Sequence, residues 1–171
     1  HGNRSTVNEP AHPTASPFGW HDTNGQAGAE YTITRGNNAH AYADIGNDNN
    51  SIGNEPDGGD DLVFNYPILE GGEPDTNRNA ATTQLFYMSN MMHDIFYTYG
   101  FDEQAGNFQD TNYDFPVGDG DYVRAEAQDG YTEALANNPS FIGNATFATP
   151  NDGSRPRMEM FVWGRGGGRL V

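Results

Sequence analysis

The sequence predicts an α+β fold, in which one long helix accompanies several short strands and long irregular loops. Residues 80–99 have apolar side chains three or four positions apart, which is typical of a helix with one apolar face. Shorter segments elsewhere alternate polar and apolar residues, which is typical of strands. The 171 residues include 22 Gly and 10 Pro, so much of the chain is expected to form loops.

The predicted helix is the longest periodic segment of the chain. Its apolar positions are Leu85, Met88, Met92, Ile95, Phe96 and Tyr99. We expect this stripe to face the core and Gly100 to end the helix, because glycine readily takes the left-handed conformation found there. His93 has no second histidine four positions later and no glutamate beside it, so it is not predicted to bind zinc. We expect instead a hydrogen-bonded His93 in or near the core.

The part of the chain before the helix is predicted to be mostly irregular. Residues 1–20 are rich in Pro, Asn, Ser and Thr, and they are interpreted as an extended N-terminal arm, either laid on the domain or disordered. Residues 31–34 and 39–43 alternate around a Gly-Asn turn and predict a β-hairpin, with His40 on its solvent face. Residues 44–61 consist largely of Asn, Asp and Gly, so they are expected to form an exposed loop.

Three strands are predicted after the helix, at residues 121–127, 144–148 and 157–163. Residues 131–136, between the first two, predict a short helical turn. Residues 164–171 are Gly-rich and are interpreted as an exit linker. Residues 21–163 are therefore interpreted as one folded unit between the arm and the linker.

The ionic composition narrows the classes of partner. Eight Lys and Arg residues against 24 Asp and Glu give a formal charge of −16, which argues against nucleic acid and against anionic membranes as partners. No apolar run is long enough to span a bilayer. The absence of cysteine excludes a disulfide framework, so stability must come from the core, with or without bound metal ions.

An acidic segment after the helix matches part of a calcium-binding loop. Asp110, Asn112 and Asp114 occupy alternate positions, and Asp121 follows eleven residues after Asp110, close to the oxygen-ligand spacing of such a loop. Phe115 stands where the loop requires Gly, and the last ligand is Asp rather than Glu, so an EF-hand is not predicted. Two interpretations stay open for these four residues: an irregular Ca²⁺ site or a hydrated acidic turn.

The sequence contains no complete catalytic motif. Gly-x-Ser-x-Gly, the phosphate-binding Gly-rich loop, a Cys-His pair and His-Glu-x-x-His are all absent. His12, His21, His40 and His93 are scattered over the predicted arm, strand and helix, which disfavours a metal site built from them. No catalytic residue and no zinc ligand is therefore predicted in these 171 residues.

Four long segments nevertheless resemble one protein family. They read TASPFGWH (14–21), YTITRGNNAHA (31–41), MMHDIFYTYGFDEQAGNFQ (91–109) and NATFATPNDGSRPRMEMFVW (144–163). In this order they resemble the fungalysin family of secreted zinc metalloendopeptidases, whose catalytic domain is similar to thermolysin. The resemblance implies a β-rich, thermolysin-like N-terminal lobe of that domain, a secreted and extracellular location, and a protein or peptide substrate bound in extended conformation.

The same resemblance implies roles for particular residues. In thermolysin-like enzymes an Asn-Ala pair on the edge strand above the zinc binds the substrate main chain, and Asn144 and Ala145 match that pair. Gly143 replaces an Asn that is common in the family, and Phe147 is expected in the core. The His-Glu-x-x-His motif falls later in the family sequence. The resemblance therefore implies zinc in the intact parent, a missing C-terminal lobe as a partner, and a fragment that is inactive alone.

A second hypothesis does not involve catalysis. The predicted strands and helix form a complete-looking unit without catalytic metal ligands, so the chain also fits a non-catalytic module that binds peptides along an edge strand. In another form of this hypothesis the acidic loops bind Ca²⁺. A gain of stability in millimolar Ca²⁺ would support the calcium-binding form.

Overall fold

The computed structural model describes residues 5–115, 117–165 and 169–170. These residues form one long helix, a short second helix and a four-stranded mixed sheet, which confirms the predicted α+β fold. The elements, in chain order, are β1 (Ala39–Ala43), α1 (Arg78–Thr98), β2 (Val123–Ala127), α2 (Tyr131–Leu135), β3 (Ala145–Ala148), β4 (Arg157–Met160), β5 (Gly164–Arg165) and β6 (Arg169–Leu170).

The four-stranded sheet has the strand order β1-β2-β4-β3. β1 and β2 are parallel, β2 and β4 are parallel, and β3 runs antiparallel to β4. The register places Tyr42, Glu126, Glu159 and Thr146 side by side across the four strands. Because side chains alternate between the two faces of a sheet, these polar residues share one face, which we call the polar face, and the alanines beside them share the other.

Helix α1 packs on the alanine face of the sheet. Ala39, Ala41 and Ala125 are buried there together with Phe86 of the helix and Trp20 of the N-terminal segment. The small alanine side chains let the helix approach the sheet closely, and the two aromatic rings, with centroids 6.4 Å apart, fill the remaining space. The core therefore combines small side chains of the sheet with large ones from the helix and the N-terminal segment.

The prediction that the apolar stripe of α1 faces the core is wrong. Within that stripe Leu85 packs against the core, but the other five side chains are exposed. These exposed residues, the α1 stripe below, are Met88, Met92, Ile95, Phe96 and Tyr99. The residues that α1 buries are Thr82, Phe86, Asn90 and Asp94. Three of the four are polar, so the buried face of the helix combines polar side chains with the apolar contacts of Phe86 and its neighbours.

Asp94 shows how a charged residue fits on the buried face of α1. Its carboxylate accepts hydrogen bonds from the His12 amide at 2.9 Å, the Ser16 hydroxyl at 2.7 Å and the Trp20 indole N–H at 2.8 Å. His93 Nδ1 lies 3.1 Å from the same carboxylate. Burial alone would raise the pKa of Asp94, but these hydrogen bonds, led by that of His93, outweigh burial and lower it. Asp94 thus joins the N-terminal segment to α1, and His93 has the structural role predicted for it.

The predicted hairpin forms only in part. A tight turn brings Gly36 N to 3.0 Å from Ala39 O, but residues 31–34 do not form a strand, and β1 pairs with β2 instead. Gly36 is required in this turn because a Cβ atom there would lie 1.6 Å from the carbonyl oxygen of Trp20. The turn was therefore predictable from its Gly and Asn residues, whereas the strand partner was not.

The loop predicted at residues 44–61 lies partly over the polar face of the sheet. His40 is buried under it, with Nε2 3.0 Å from Oε1 of Glu55, so the prediction of a solvent-facing His40 is wrong. Asn49 of the same loop accepts a hydrogen bond from Arg157 of β4. These contacts explain why His40 is enclosed although it points away from α1.

The elements after α1 fall within the predicted segments. β2, β3 and β4 lie inside residues 121–127, 144–148 and 157–163, and α2 lies inside residues 131–136. Of the predicted linker at residues 164–171, residues 166–168 and 171 lie outside the described residues. In the ranges that the structure describes, no helix is long and apolar enough to cross a bilayer.

Candidate functional site

Strand β3 forms one end of the four-stranded sheet. All four of its residues are exposed, and one of its sides pairs with β4. In the described part of the chain no strand lies on its other side. An edge strand of this kind presents unpaired N–H and C=O groups, with which an extended peptide can pair.

Asn144 and Ala145, the predicted substrate-binding pair, lie where β3 begins. The Asn144 carbonyl accepts a hydrogen bond from Phe161 N at 3.3 Å, and Gly143 N donates to Val162 O at 2.8 Å. These bonds hold the backbone against the segment that follows β4, while Asn144 and Ala145 are exposed. Gly143 has a φ of 68°, a left-handed conformation that Gly and Asn adopt more readily than other residues. Either residue therefore suits this position.

Two side chains of β3 make contacts outside the Asn144-Ala145 pair. The Thr146 hydroxyl donates a hydrogen bond to Glu159 of β4. Phe147 is 45% exposed, with its ring centroid 6.2 Å from that of Phe108, so the expectation of a core position for Phe147 is wrong. The edge strand thus joins the polar face through Thr146 and presents an aromatic ring to solvent through Phe147.

The polar face carries interacting charged groups next to β3. The Tyr42 hydroxyl donates to Glu126 Oε1 at 2.6 Å. Arg157 Nη2 lies 3.0 Å from Glu159 Oε1, and Arg157 Nε lies 3.8 Å from Glu126 Oε2. Burial raises the pKa of Glu126, although the hydrogen bond from Tyr42 and the charge of Arg157 act against it. Burial also raises the pKa of Tyr42, as does its bond to Glu126.

Asp129 lies just after β2, and its backbone N donates to Met160 O at 3.1 Å. Its side chain is 0% exposed, and within the described residues neither carboxylate oxygen has a hydrogen-bond partner. One carboxylate oxygen each from Glu126, Asp129 and Glu159 lie within 4.8 Å of one another. Burial raises the pKa of Asp129 to about 7, and the charges of Asp44, Glu126 and Glu159 add to that effect.

The residues predicted for calcium at 110–121 engage other partners. Asp121 Oδ1 accepts a hydrogen bond from Gln109 N at 2.8 Å, and its Oδ2 accepts one from Gly153 N at 3.2 Å. Burial raises the pKa of Asp121 to about 6 against these bonds. Asp110 Oδ2 lies 3.9 Å from Arg35 Nη2. Each of these carboxylates therefore has a protein partner of its own.

The other two predicted calcium ligands lie in the same loop. Asn112 Nδ2 donates to Val117 O at 2.6 Å, and Asp114 N donates to Glu103 at 2.8 Å. Among the described residues, the acidic groups of this loop do not converge as the three carboxylates of the polar face do. The calcium assignment to Asp110, Asn112, Asp114 and Asp121 stays a prediction.

The histidines do not form a zinc site in the part of the chain that the structure describes. The one convergent group of three or more potential ligands there contains carboxylates only, whereas zinc in proteins favours His and Cys. His21 Nδ1 lies 3.0 Å from Arg35 O and His40 pairs with Glu55, and burial lowers the pKa of both histidines. The residues present therefore do not fit the zinc ion that the resemblance implies.

The cluster of three carboxylates, Glu126, Asp129 and Glu159, was not predicted from the sequence. Alternation in β2 and β4 assigns Glu126 and Glu159 to the polar face of their strands, but it does not reveal that the two strands are neighbours. Asp129 follows β2 in an irregular segment, where no periodic pattern applies. The signal that was available is an ionisable residue within each predicted strand.

Comparisons of the sequence with known proteins identify relatives of this chain. A family model described as fungalysin metallopeptidase matches residues 1–167. Over 162 residues the chain is 39% identical to extracellular metalloproteinase 5 of Trichophyton tonsurans, covering 95% of this chain and 25% of that protein. It is 39% identical over 164 residues to extracellular metalloproteinase MEP of Leptosphaeria maculans, covering 95% and 24%. It is 42% identical over 156 residues to extracellular metalloproteinase 2 of Trichophyton rubrum, covering 88% and 22%.

The chain spans about a quarter of the length of the curated relatives that it matches. The family model, by contrast, matches almost all of this chain. The resemblance of the four sequence segments is thereby confirmed, and the chain belongs to the fungalysin metallopeptidase family.

Proposed function

We propose that this chain is the substrate-binding lobe of a secreted zinc-dependent endopeptidase, and that it holds an extended stretch of a protein substrate along the outer edge of β3. The observation that carries the proposal is the exposed edge strand beginning at Asn144 and Ala145. Membership in a metallopeptidase family supports the reaction class. The names of the relatives, which describe them as extracellular, support secretion.

A substrate strand paired with β3 would be held mainly by main-chain hydrogen bonds. The Asn144 side chain offers both a donor and an acceptor, so it can fix the register of the substrate backbone. Ala145 is exposed and small, which leaves room for that backbone to approach. Phe147, exposed on the same strand, can contact an apolar substrate side chain.

The zinc ion in this proposal belongs to another part of the polypeptide. The printed 171 residues contain no His-Glu-x-x-His, and no described histidine belongs to a convergent group of three or more ligands. When bound, zinc would polarise the scissile carbonyl and activate a water molecule. The 171 residues alone are therefore expected to bind zinc weakly and to leave casein intact.

A C-terminal lobe is the proposed partner of the α1 stripe. Five apolar side chains on one helix face are exposed, and the relatives are about four times as long as this chain. Contiguous exposed apolar surface is typical of a protein interface. We expect the additional polypeptide to cover this stripe in the complete enzyme.

The edge-strand proposal is tested with Asn144→Ala in the complete protein. Loss of the amide contacts to the substrate is expected to lower kcat/KM for a peptide substrate by about 10- to 100-fold, with an unchanged Tm. Asn151→Ala, an exposed asparagine in the loop after β3, is the matched control. An unchanged kcat/KM in Asn144→Ala would remove Asn144 from the substrate site.

The lobe assignment is tested separately with the purified 171-residue chain. Casein should stay intact when this chain is incubated with zinc. Restoring the remaining polypeptide should restore cleavage. Zinc-dependent proteolysis by the 171 residues alone would overturn the assignment.

A further inference from the structure

The three carboxylates of the polar face come from positions that the sheet holds firmly. Glu126 and Glu159 are direct partners on the parallel strands β2 and β4, so their side chains leave the sheet next to each other. Asp129 is fixed close to them by its backbone hydrogen bond to Met160, the last residue of β4. Regular structure therefore places two of the carboxylates, and the third lies in a turn whose backbone is bonded to the end of β4.

The side chain of Asp129 gives a second, independent indication of a ligand at the three carboxylates. Its carboxylate is fully buried, and in the described ranges both of its oxygens lack a hydrogen-bond partner. Burying a charged group without a partner is strongly unfavourable, so buried carboxylates are normally hydrogen-bonded, paired or bound to a metal ion. Oε2 of Glu126, another residue of this group, also lacks a hydrogen-bond partner among the described residues and lies 3.8 Å from Arg157 Nε.

The protein charges near Asp129 do not balance. Asp44, Glu126 and Glu159 are the neighbouring acidic groups, and Arg157 is the cation that acts on Asp129. Arg157 makes its close ion pair with Glu159 and its other hydrogen bond with Asn49. The charge of Arg157 on Asp129 is opposed by three neighbouring carboxylates, and none of the described contacts of Arg157 is with Asp129. Arg124 lies on the same face of the sheet, where its charge acts on Tyr42.

We propose that Glu126, Asp129 and Glu159 bind one Ca²⁺ ion on the polar face of the sheet. Oxygen-only ligands suit a hard cation, and Ca²⁺ binds oxygens at about 2.3–2.6 Å, so ligands on opposite sides of it lie about 4.6–5.2 Å apart. The three ligand atoms all lie within 4.8 Å of one another, which is inside that limit, so one Ca²⁺ ion can contact all three. Mg²⁺ demands near-ideal octahedral geometry and usually keeps several waters, so it is less suited than Ca²⁺ to a site built from three protein carboxylates.

The ion would strengthen the part of the sheet next to the edge strand. It bridges β2, β4 and the segment after β2, and Glu159 in turn accepts the hydrogen bond of Thr146 from β3. Calcium is therefore expected to stabilise β3 without taking part in peptide hydrolysis. This inference does not depend on the proposed function, since the ligands belong to the fold and not to the substrate edge.

The first test uses the complete protein that contains these 171 residues. Bound calcium is removed with EGTA, and calcium is then titrated back by calorimetry. Asp129→Asn keeps the shape of the side chain and removes its charge, so it should bind one ion fewer, or bind that ion at least about tenfold more weakly. Asp60→Asn, an exposed aspartate, is the matched control and should bind as the wild type does. Unchanged stoichiometry and affinity in Asp129→Asn would overturn the proposal.

The second test compares thermal stability with and without the ion. Calcium at about a hundred times its Kd should raise the Tm of the complete wild-type protein by roughly 2–4 °C, because the same stabilisation shifts the Tm of a large protein less than that of a small one. In EGTA, Asp129→Asn should be more stable than the wild type, because it removes one of the crowded buried charges, and in calcium the order should reverse. The absence of this reversal, or equal stabilisation by Mg²⁺, would contradict a calcium site.

A third variant tests the same site in case Asp129→Asn does not fold. Glu159→Gln alters a less buried ligand and leaves Asp129 in place. It should also lose most of the calcium-dependent rise in Tm. A full rise in Glu159→Gln would exclude this group as the site.

Discussion

Asp94 and Asp129 are both buried aspartates, but they lie on opposite faces of the sheet in opposite electrostatic surroundings. On the α1 side, Asp94 receives hydrogen bonds from Ser16, Trp20 and the His12 amide. On the polar face, the carboxylate of Asp129 has no hydrogen-bond partner among the described residues and lies near three other carboxylates. The pKa of the first is lowered and that of the second is raised to about 7.

This difference shows that burial alone does not decide what a carboxylate does. Asp94 is stabilised by fixed donors, so it serves as a structural anchor between the N-terminal segment and the helix. Asp129 lacks such donors, so its charge requires a proton or a cation. The same residue type thus supports the fold on one face of the sheet and provides a potential metal ligand on the other.

The largest expected effect is the loss of the Asp94 anchor. Asp94→Ala leaves the buried donors of Ser16 and Trp20 without an acceptor, which should lower the free energy of unfolding by about 3–4 kcal/mol. Urea denaturation measures the change. Asp61→Ala removes an exposed aspartate and should stay within about 0.5 kcal/mol of the wild type. A small effect at Asp94 would mean that the arm is not held through this carboxylate.

The pH dependence of stability should differ in sign between the two aspartates. The lowered folded-state pKa of Asp94 gives stability that is present above the unfolded-state value of about 3.9 and is lost as the pH falls through the folded-state pKa. For Asp129 the folded-state pKa is the higher one, at about 7. Its charge therefore lowers the stability of the metal-free protein increasingly as the pH rises from about 4 through 7.

Urea denaturation between pH 3 and 8 in EGTA checks this comparison. The free energy of unfolding of the wild type, minus that of Asp129→Asn, should fall as the pH rises. The free energy of unfolding of the wild type, minus that of Asp94→Asn, should fall as the pH is lowered. Parallel curves for both variants would show that the two sites do not differ as described.

A smaller effect is expected from overpacking the alanine face. Ala125 is fully buried between the sheet and α1, so Ala125→Met should destabilise the protein by about 1–3 kcal/mol. Ala148→Met makes the same change on the exposed edge strand β3 and should have little effect. Similar losses of stability in both variants would contradict the close approach of α1 to the sheet.

The smallest effect is expected on the α1 stripe of the 171-residue chain. Ile95 is 40% exposed, so Ile95→Ser should change the free energy of unfolding of this chain by no more than about 0.5 kcal/mol. If a C-terminal lobe covers the stripe, the same change should destabilise the complete protein by more. Equal effects in both proteins would argue against that docking site.

Several elements were predictable because their signals are local. The helix at residues 78–98, the strands after it and the turn at Gly36 each follow from nearby periodicity or from turn residues. The inward face of α1 was not predictable in this way. Asp94 and Asn90 of that face accept hydrogen bonds from Ser16 and Asn38. Such polar inward residues contradict the rule that apolar residues mark the core.

The two candidate sites differ in the same way, since one lies within a single segment of the sequence and the other depends on long-range contacts. The Asn144-Ala145 pair is implied by the family resemblance, which rests on contiguous sequence, and its role stays a prediction. The carboxylates Glu126, Asp129 and Glu159 were not found, because the pairing of β2 with β4 depends on long-range contacts.

The sequence by itself determined the family, the α+β class and the positions of most elements, because those signals extend over neighbouring residues. Only the tertiary structure decided which face of α1 is buried, which strands are neighbours and which carboxylates converge. Those outcomes depend on hydrogen bonds and charges between residues that are far apart in the chain, and no local pattern specifies such partners.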